Sequence, residues 1–195
     1  MNYLKYEYLY ILFTCVIVYI MLNNNENVKV SSIKIGNHSY KVRNNDETHM
    51  KNVANLLHKM RLKTDQLCKY IESNGYGDDR YKRLLAKKNV SFEEIHPRYV
   101  GEAAYSINKG DRIGVCVYNN NEFIDDENTM FFVVCHELAH IMSTKYAHDK
   151  EFWQNFAELL SVAEKAGLYT YQDYSRNTED FCGHSITHNP LKKLK

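Results

Sequence analysis

Four residues have the types and spacing to do chemistry together: His136, Glu137 and His140, in the pattern HELAH, and His148 eight residues beyond His140. On a helix the first two histidines lie one turn apart on the same face, with Glu137 about 100° round the axis. Two imidazoles so placed can hold one Zn²⁺, while the carboxylate reaches a water on the metal rather than the metal itself. The chemistry this implies is hydrolysis, with a Lewis-acidic metal and Glu137 as general base. A third ligand is required, and His148 can supply it if the helix breaks near residues 143–145 and the chain turns back. Glu158 or Glu164 on the following helix, and His184 or His188 in the tail, are the competing ligands. An oxyanion donor is also expected; Tyr105, Tyr118, Tyr146 and His184 are the candidates, and the sequence does not choose among them. His38, His49, His58 and His96 read as surface residues.

These side chains need a platform. Met130, Phe131, Phe132, Val134, Cys135, Leu138, Ala139, Ile141 and Met142 surround the motif with apolar groups on nearly every side, so the spacing predicts a buried central helix. Imidazoles and a carboxylate buried there are costly unless a metal satisfies them. Asp125 or Asp126 can cap its N-terminus.

Residues 28–43 alternate about Gly36-Asn37 and predict a β-hairpin. Over 46–73, Met50, Val53, Leu57, Met60, Leu67 and Ile71 recur at helical spacing, with Gly75 just past the end. A short helix is expected over 79–88, then a loop over 89–101. Residues 103–108 and 112–118 read as strands joined by Lys109-Gly110-Asp111. The strand over 112–118 is expected to be an edge beside the metal, where an extended polypeptide could add as a further strand. Residues 149–166 predict a helix stopped by Gly167, with Phe152, Phe156, Leu159, Leu160 and Ala163 on one face and Trp153 at its edge. The tail from 168 reads as an irregular wrap with one short strand. The fold class expected is α+β: the buried HELAH helix packed with a long amphipathic helix and a small antiparallel sheet.

A chain of 195 residues with 44% apolar and 25% charged residues has enough material for one domain, taken as 27–195. Its net charge of +1 gives no footprint for nucleic acid. Oligomeric state is not readable. Residues 8–22, YLYILFTCVIVYIML, carry no charge; counted from Tyr3, the run reaches the roughly 20 residues a bilayer requires. Residues 1–26 are accordingly expected to be a membrane anchor and linker, giving a single-pass membrane protein. Five cysteines without a CxxC pair argue against a disulfide framework and for a reducing compartment, which places the main domain on the cytosolic side.

The stretch HELAHIMSTKYAHDKEFW departs from the metzincin pattern, with Ser143 where the glycine and Tyr146 where the third histidine would stand. It resembles the WLM and SprT-like metallopeptidases, in which HExxH is followed by a histidine opening a helix as H-x-x-x-F, here His148 and Phe152. AAYSINKGDRIGVCVY, NTMFFVVCHELAHIM and FCGHSITHNPL look like membrane-anchored WLM-type proteins of large DNA viruses, over roughly residues 40–191. The His140 to His148 spacing is two residues longer than in the usual WLM motif. The resemblance implies a zincin-like fold and a zinc peptidase with a polypeptide substrate, membrane-tethered and a candidate virion component. The alternatives are a zinc-stabilised, membrane-anchored interaction module without activity, and a protease repairing DNA–protein crosslinks.

Overall fold

The computed structural model describes residues 29–95, 101–119 and 122–194. Its four helices all start on an aspartate that accepts backbone N–H groups of the first turn. Asp46 caps α1 (Glu47–Ser73), Asp78 caps α2 (Asp79–Ala86), Asp126 caps α3 (Glu127–Met142) and Asp149 caps α4 (Lys150–Lys165). Each such cap contributes about 1 kcal/mol. The apolar face expected of α1 is the buried one, with Val53, Leu57, Met60, Leu67 and Ile71 wholly covered. Helix α3 is the centre of the core: Met130, Phe131, Val134, Cys135 and Ala139 are inaccessible, and α1, α2 and α4 all pack on it.

Five strands form one sheet, β1 (Val30–Ile35), β2 (His38–Arg43), β3 (Ser91–Glu94), β4 (Ala104–Ile107) and β5 (Arg112–Val115), in the order β1-β2-β3-β5-β4. The hairpin pairs β1–β2 and β4–β5 are antiparallel, but β2–β3 and β3–β5 are parallel. The sheet is therefore mixed and not the antiparallel one expected. Strand β3 enters after α1 and α2 have crossed over the sheet, which returns the chain in the same direction.

Strand β3 lies in the stretch expected to be loop. Its signal is masked by Glu93 and Glu94, both buried. Glu94 is neutralised by Arg43, whose Nε and backbone N–H reach its carboxylate at 2.5 and 2.7 Å. Glu93 accepts the Tyr105 hydroxyl at 2.8 Å and pairs with Arg112 at 3.3 Å. To reach Glu93 the Tyr105 ring crosses β5 over Gly114, where an added Cβ would lie 2.2 Å from the ring. Pairing on both sides makes β5 interior, so the edge strand beside α3 is β4 and not residues 112–118.

Past β5, short strands β6 (Tyr118–Asn119) and β7 (Glu122–Phe123) pair, and the tail forms a hairpin of β8 (Glu179–Phe181) and β9 (His184–Ile186) before a 3₁₀ turn at Pro190–Leu194. Cys182 and Gly183 make the hairpin turn with φ of +55° and +79°, the left-handed pair that a two-residue turn requires.

Two expectations are corrected here. Cys116 and Cys182 form a disulfide, leaving Cys68 and Cys135 free and buried. A disulfide belongs to oxidising surroundings and removes the argument for a reducing, cytosolic one. The single-pass membrane placement is not supported either: among the described residues no helix is long and apolar enough to cross a membrane. The stretch 8–22 on which it rested lies outside the described residues.

Candidate metal centre

Helix α3 delivers His136 and His140 from one face, and the chain then reverses within seven residues to deliver His148. That reversal is fixed from several sides. Ser143, the C-cap of α3, gives its N–H to Ala139 and takes a buried hydrogen bond from Asn155 of α4 at 2.9 Å. Thr144 N–H donates to Glu151 at 3.0 Å. The carbonyls at and just past the end of α3 accept from cations, as helix C-termini favour: Arg83 Nε reaches Met142 at 2.8 Å, and Lys109 Nζ reaches Ser143 and Thr144 at 2.8 Å each. Asp149 then caps α4 directly after His148.

The three imidazoles converge through Nε2. His148 Nε2 lies 2.9 Å from that of His136 and 3.1 Å from that of His140. Phe152, inaccessible to solvent, closes the site from below, with its ring centroid 4.8, 4.3 and 4.6 Å from those of His136, His140 and His148. One proton can serve only one of these nitrogen pairs, so the convergence leaves lone pairs facing each other unless a cation collects them. Tetrahedral Zn²⁺ with Zn–N of about 2.05 Å needs nitrogens about 3.3 Å apart. The two His148 separations fall a few tenths of an ångström short of that, all three ligand atoms lie within 4.8 Å of one another, and the imidazole donors suit zinc. The exception is His140 Nδ1, which is buried with no partner among the described residues, where ligating histidines commonly have an acceptor.

Burial, reinforced by the neighbouring imidazoles, pulls His136 down to about 3. Burial, with His148 and Lys109 adding to it, pulls His140 down to about 4. Both are neutral, ligand-ready bases at pH 7. Glu137, also buried, is pushed up to about 7, first by desolvation and then by Glu102. In metal-free protein the two histidines gain protons on unfolding below the ordinary imidazole value of about 6.5, while Glu137 loses one above about 4.5. Two protons outweigh one, so stability falls as pH drops from 6.5, and below 4.5 only the histidines act. A urea midpoint lower at pH 5 than at pH 7 in chelator-treated protein is the expected result; a rise would contradict it.

The histidines and Glu137 open into a cleft of about 260 Å³ lined also by Glu102, Ala104, Tyr105, Ser106, Lys109 and Tyr146. The rival ligands stand elsewhere. Glu158 is held by Arg80 at 2.6 Å and by the Tyr81 hydroxyl at 3.1 Å, His184 Nε2 meets the Gly101 carbonyl, His188 packs tilted against the Trp153 ring, and Glu164 is outside the cluster. Of the histidines expected at the surface, His38, His49 and His58 are half-covered, His49 stacked on Tyr118 and His58 bonded to the Tyr40 hydroxyl at 2.8 Å. His96 lies outside the described residues. Reading the sequence missed Lys109 and Glu102 as site residues. Their signal was position alone, two residues outside either end of the short strand that became the edge.

The chain is similar to two viral proteins. It is 28% identical to the uncharacterized protein R325 of Acanthamoeba polyphaga mimivirus over 90 residues, 46% of each chain. It is 33% identical to the uncharacterized protein 136R of Invertebrate iridescent virus 6 over 72 residues, 35% of this chain and 40% of that one. The chain thus spans less than half the length of the curated relatives it matches. No family model and no solved structure matches it.

Proposed function

We propose that this is a viral zinc-dependent peptidase with a zincin-like fold, related to the WLM and SprT-like group. The observation that carries the reading is the convergence of His136, His140 and His148 in one cleft with the Glu137 carboxylate. Both relatives are viral, which supports the origin. Zinc held by these imidazoles supplies a Lewis acid that polarises a carbonyl and brings the pKa of water near 7. Glu137 accepts the proton of the attacking water and returns it to the leaving amine. Among the described residues β4 has a strand on one side only, and its other side offers an edge along which an extended polypeptide is held.

Of the four candidate oxyanion donors, three are placed for other work: Tyr105 donates to Glu93, Tyr118 stacks on His49, and His184 meets Gly101. Tyr146, 71% exposed and lining the cleft, is the one assigned the role. A purely structural zinc site closes its coordination with four protein ligands. Among the described residues the cluster has three, which favours catalysis over an inert module. The net charge of +1 sets the crosslink-repair alternative behind.

The test is elemental analysis with an activity assay. One zinc per chain is expected, together with cleavage of an unfolded polypeptide such as casein that a chelator stops and zinc restores. His148→Ala should weaken zinc binding more than about 100-fold. Full zinc affinity in that variant would remove His148 from the ligand set, and absence of cleavage by the zinc-loaded chain would refute the peptidase.

A further inference from the structure

Lys109 and Glu102 flank β4, and they differ in one respect. The Lys109 ammonium is committed to the Ser143 and Thr144 carbonyls and lies over the Tyr146 ring at 4.7 Å. Glu102 is exposed, lines the cleft, and has no hydrogen-bond or ion-pair partner among the described residues. The cleft thus carries opposite charges at the two ends of β4, and among the described residues the negative one is on the side chain without a bonding partner.

The backbone presenting Glu102 is tied on both sides. On one side the Gly101 carbonyl meets His184 Nε2, and on the other the Ala103 carbonyl accepts the Cys116 N–H at 2.9 Å. Cys116 is in turn bonded to Cys182 at the turn of the tail hairpin. The anchored backbone keeps Glu102 beside the cleft, and its carboxylate is near enough to Glu137 to act on it electrostatically.

We propose that Glu102 makes the cleft select a cationic group, an ammonium or guanidinium, on the substrate beside the cleaved bond. This rests on the peptidase reading. The cation can belong to a lysine or arginine side chain or to a free amino terminus. Any chain held along the open side of β4 passes the segment carrying Glu102, and the Lys109 ammonium at the far end disfavours a cation there.

Binding separates this assignment from catalysis. Zinc-loaded full-length Glu137→Gln protein is titrated with fluorescent peptides in matched pairs: N-acetylated peptides with lysine or acetyl-lysine, and lysine-free peptides with a free or acetylated amino terminus. The charged member of at least one pair should bind about fivefold tighter at low salt, the size of an exposed ion pair, with the difference shrinking at high salt. The pair showing it identifies the source of the cation. Adding Glu102→Gln should erase the preference, and Glu102→Lys should reverse it toward glutamate-containing peptides. Equal binding within both pairs, or a preference that survives Glu102→Gln, overturns the proposal. Wild-type protein assayed on the same peptides tests the peptidase itself: selective binding without cleavage refutes that reading and leaves Glu102 assigned.

Discussion

Glu137→Gln is expected to lower kcat/KM by about 10²- to 10⁴-fold while zinc content stays at that of the wild type. The size follows from the role: a positioned proton acceptor in the transition state is worth that much, and glutamine has nearly the same shape without the ability to take a proton. Metal retention follows from geometry, because Glu137 is not among the converging ligand atoms. Stability should not suffer, since Glu137 is 6% exposed and the substitution removes the cost of burying a charge without creating a cavity. The variant therefore divides the reading at its joints. Retained cleavage would show that another group activates the water. Loss of zinc would make Glu137 a ligand.

The parts of this molecule legible in its sequence are those written locally. The span of α1 and the left-handed Gly75 beyond it follow from apolar spacing and turn chemistry, as do α4 and Gly167. The convergence of His148 with His136 and His140 was legible too, because only a short reversal separates them. What could not be read is the long-range pairing. Nothing local in residues 91–94 announces a central strand, because Glu93 and Glu94 conceal it until Arg43, Tyr105 and Arg112, from three other strands, neutralise them. Once β3 is missed, β5 looks like an edge and the cleft is assigned to the wrong strand. The disulfide escaped for the same reason: its partners are 66 residues apart, and an odd cysteine count gives no pairing signal.

That disulfide gives the second large effect. Closing a 66-residue separation restricts the unfolded chain by about 4 kcal/mol on the loop-entropy view. Against a typical domain stability of roughly 5–15 kcal/mol this is a large share. Cys116→Ser should lower the urea midpoint by about 2 M for a slope near 2 kcal/mol/M, and wild type treated with a dithiol reductant should match it. The turn position adds a further distinction. Cys182 holds a left-handed φ that costs a side-chain-bearing residue about 1 kcal/mol, a cost glycine does not carry. Cys116→Ser/Cys182→Gly should therefore recover about 1 kcal/mol relative to Cys116→Ser alone. Equal midpoints for wild type, reduced protein and Cys116→Ser would show that the β8–β9 hairpin is held by its other contacts. The three proposed zinc ligands are positioned by α3, α4 and the reversal between them, none of which the disulfide joins. Below its lowered midpoint the reduced protein should thus keep full zinc content. Weakened selection by Glu102 is the loss expected instead, because Cys116 and His184 hold the segment that presents it.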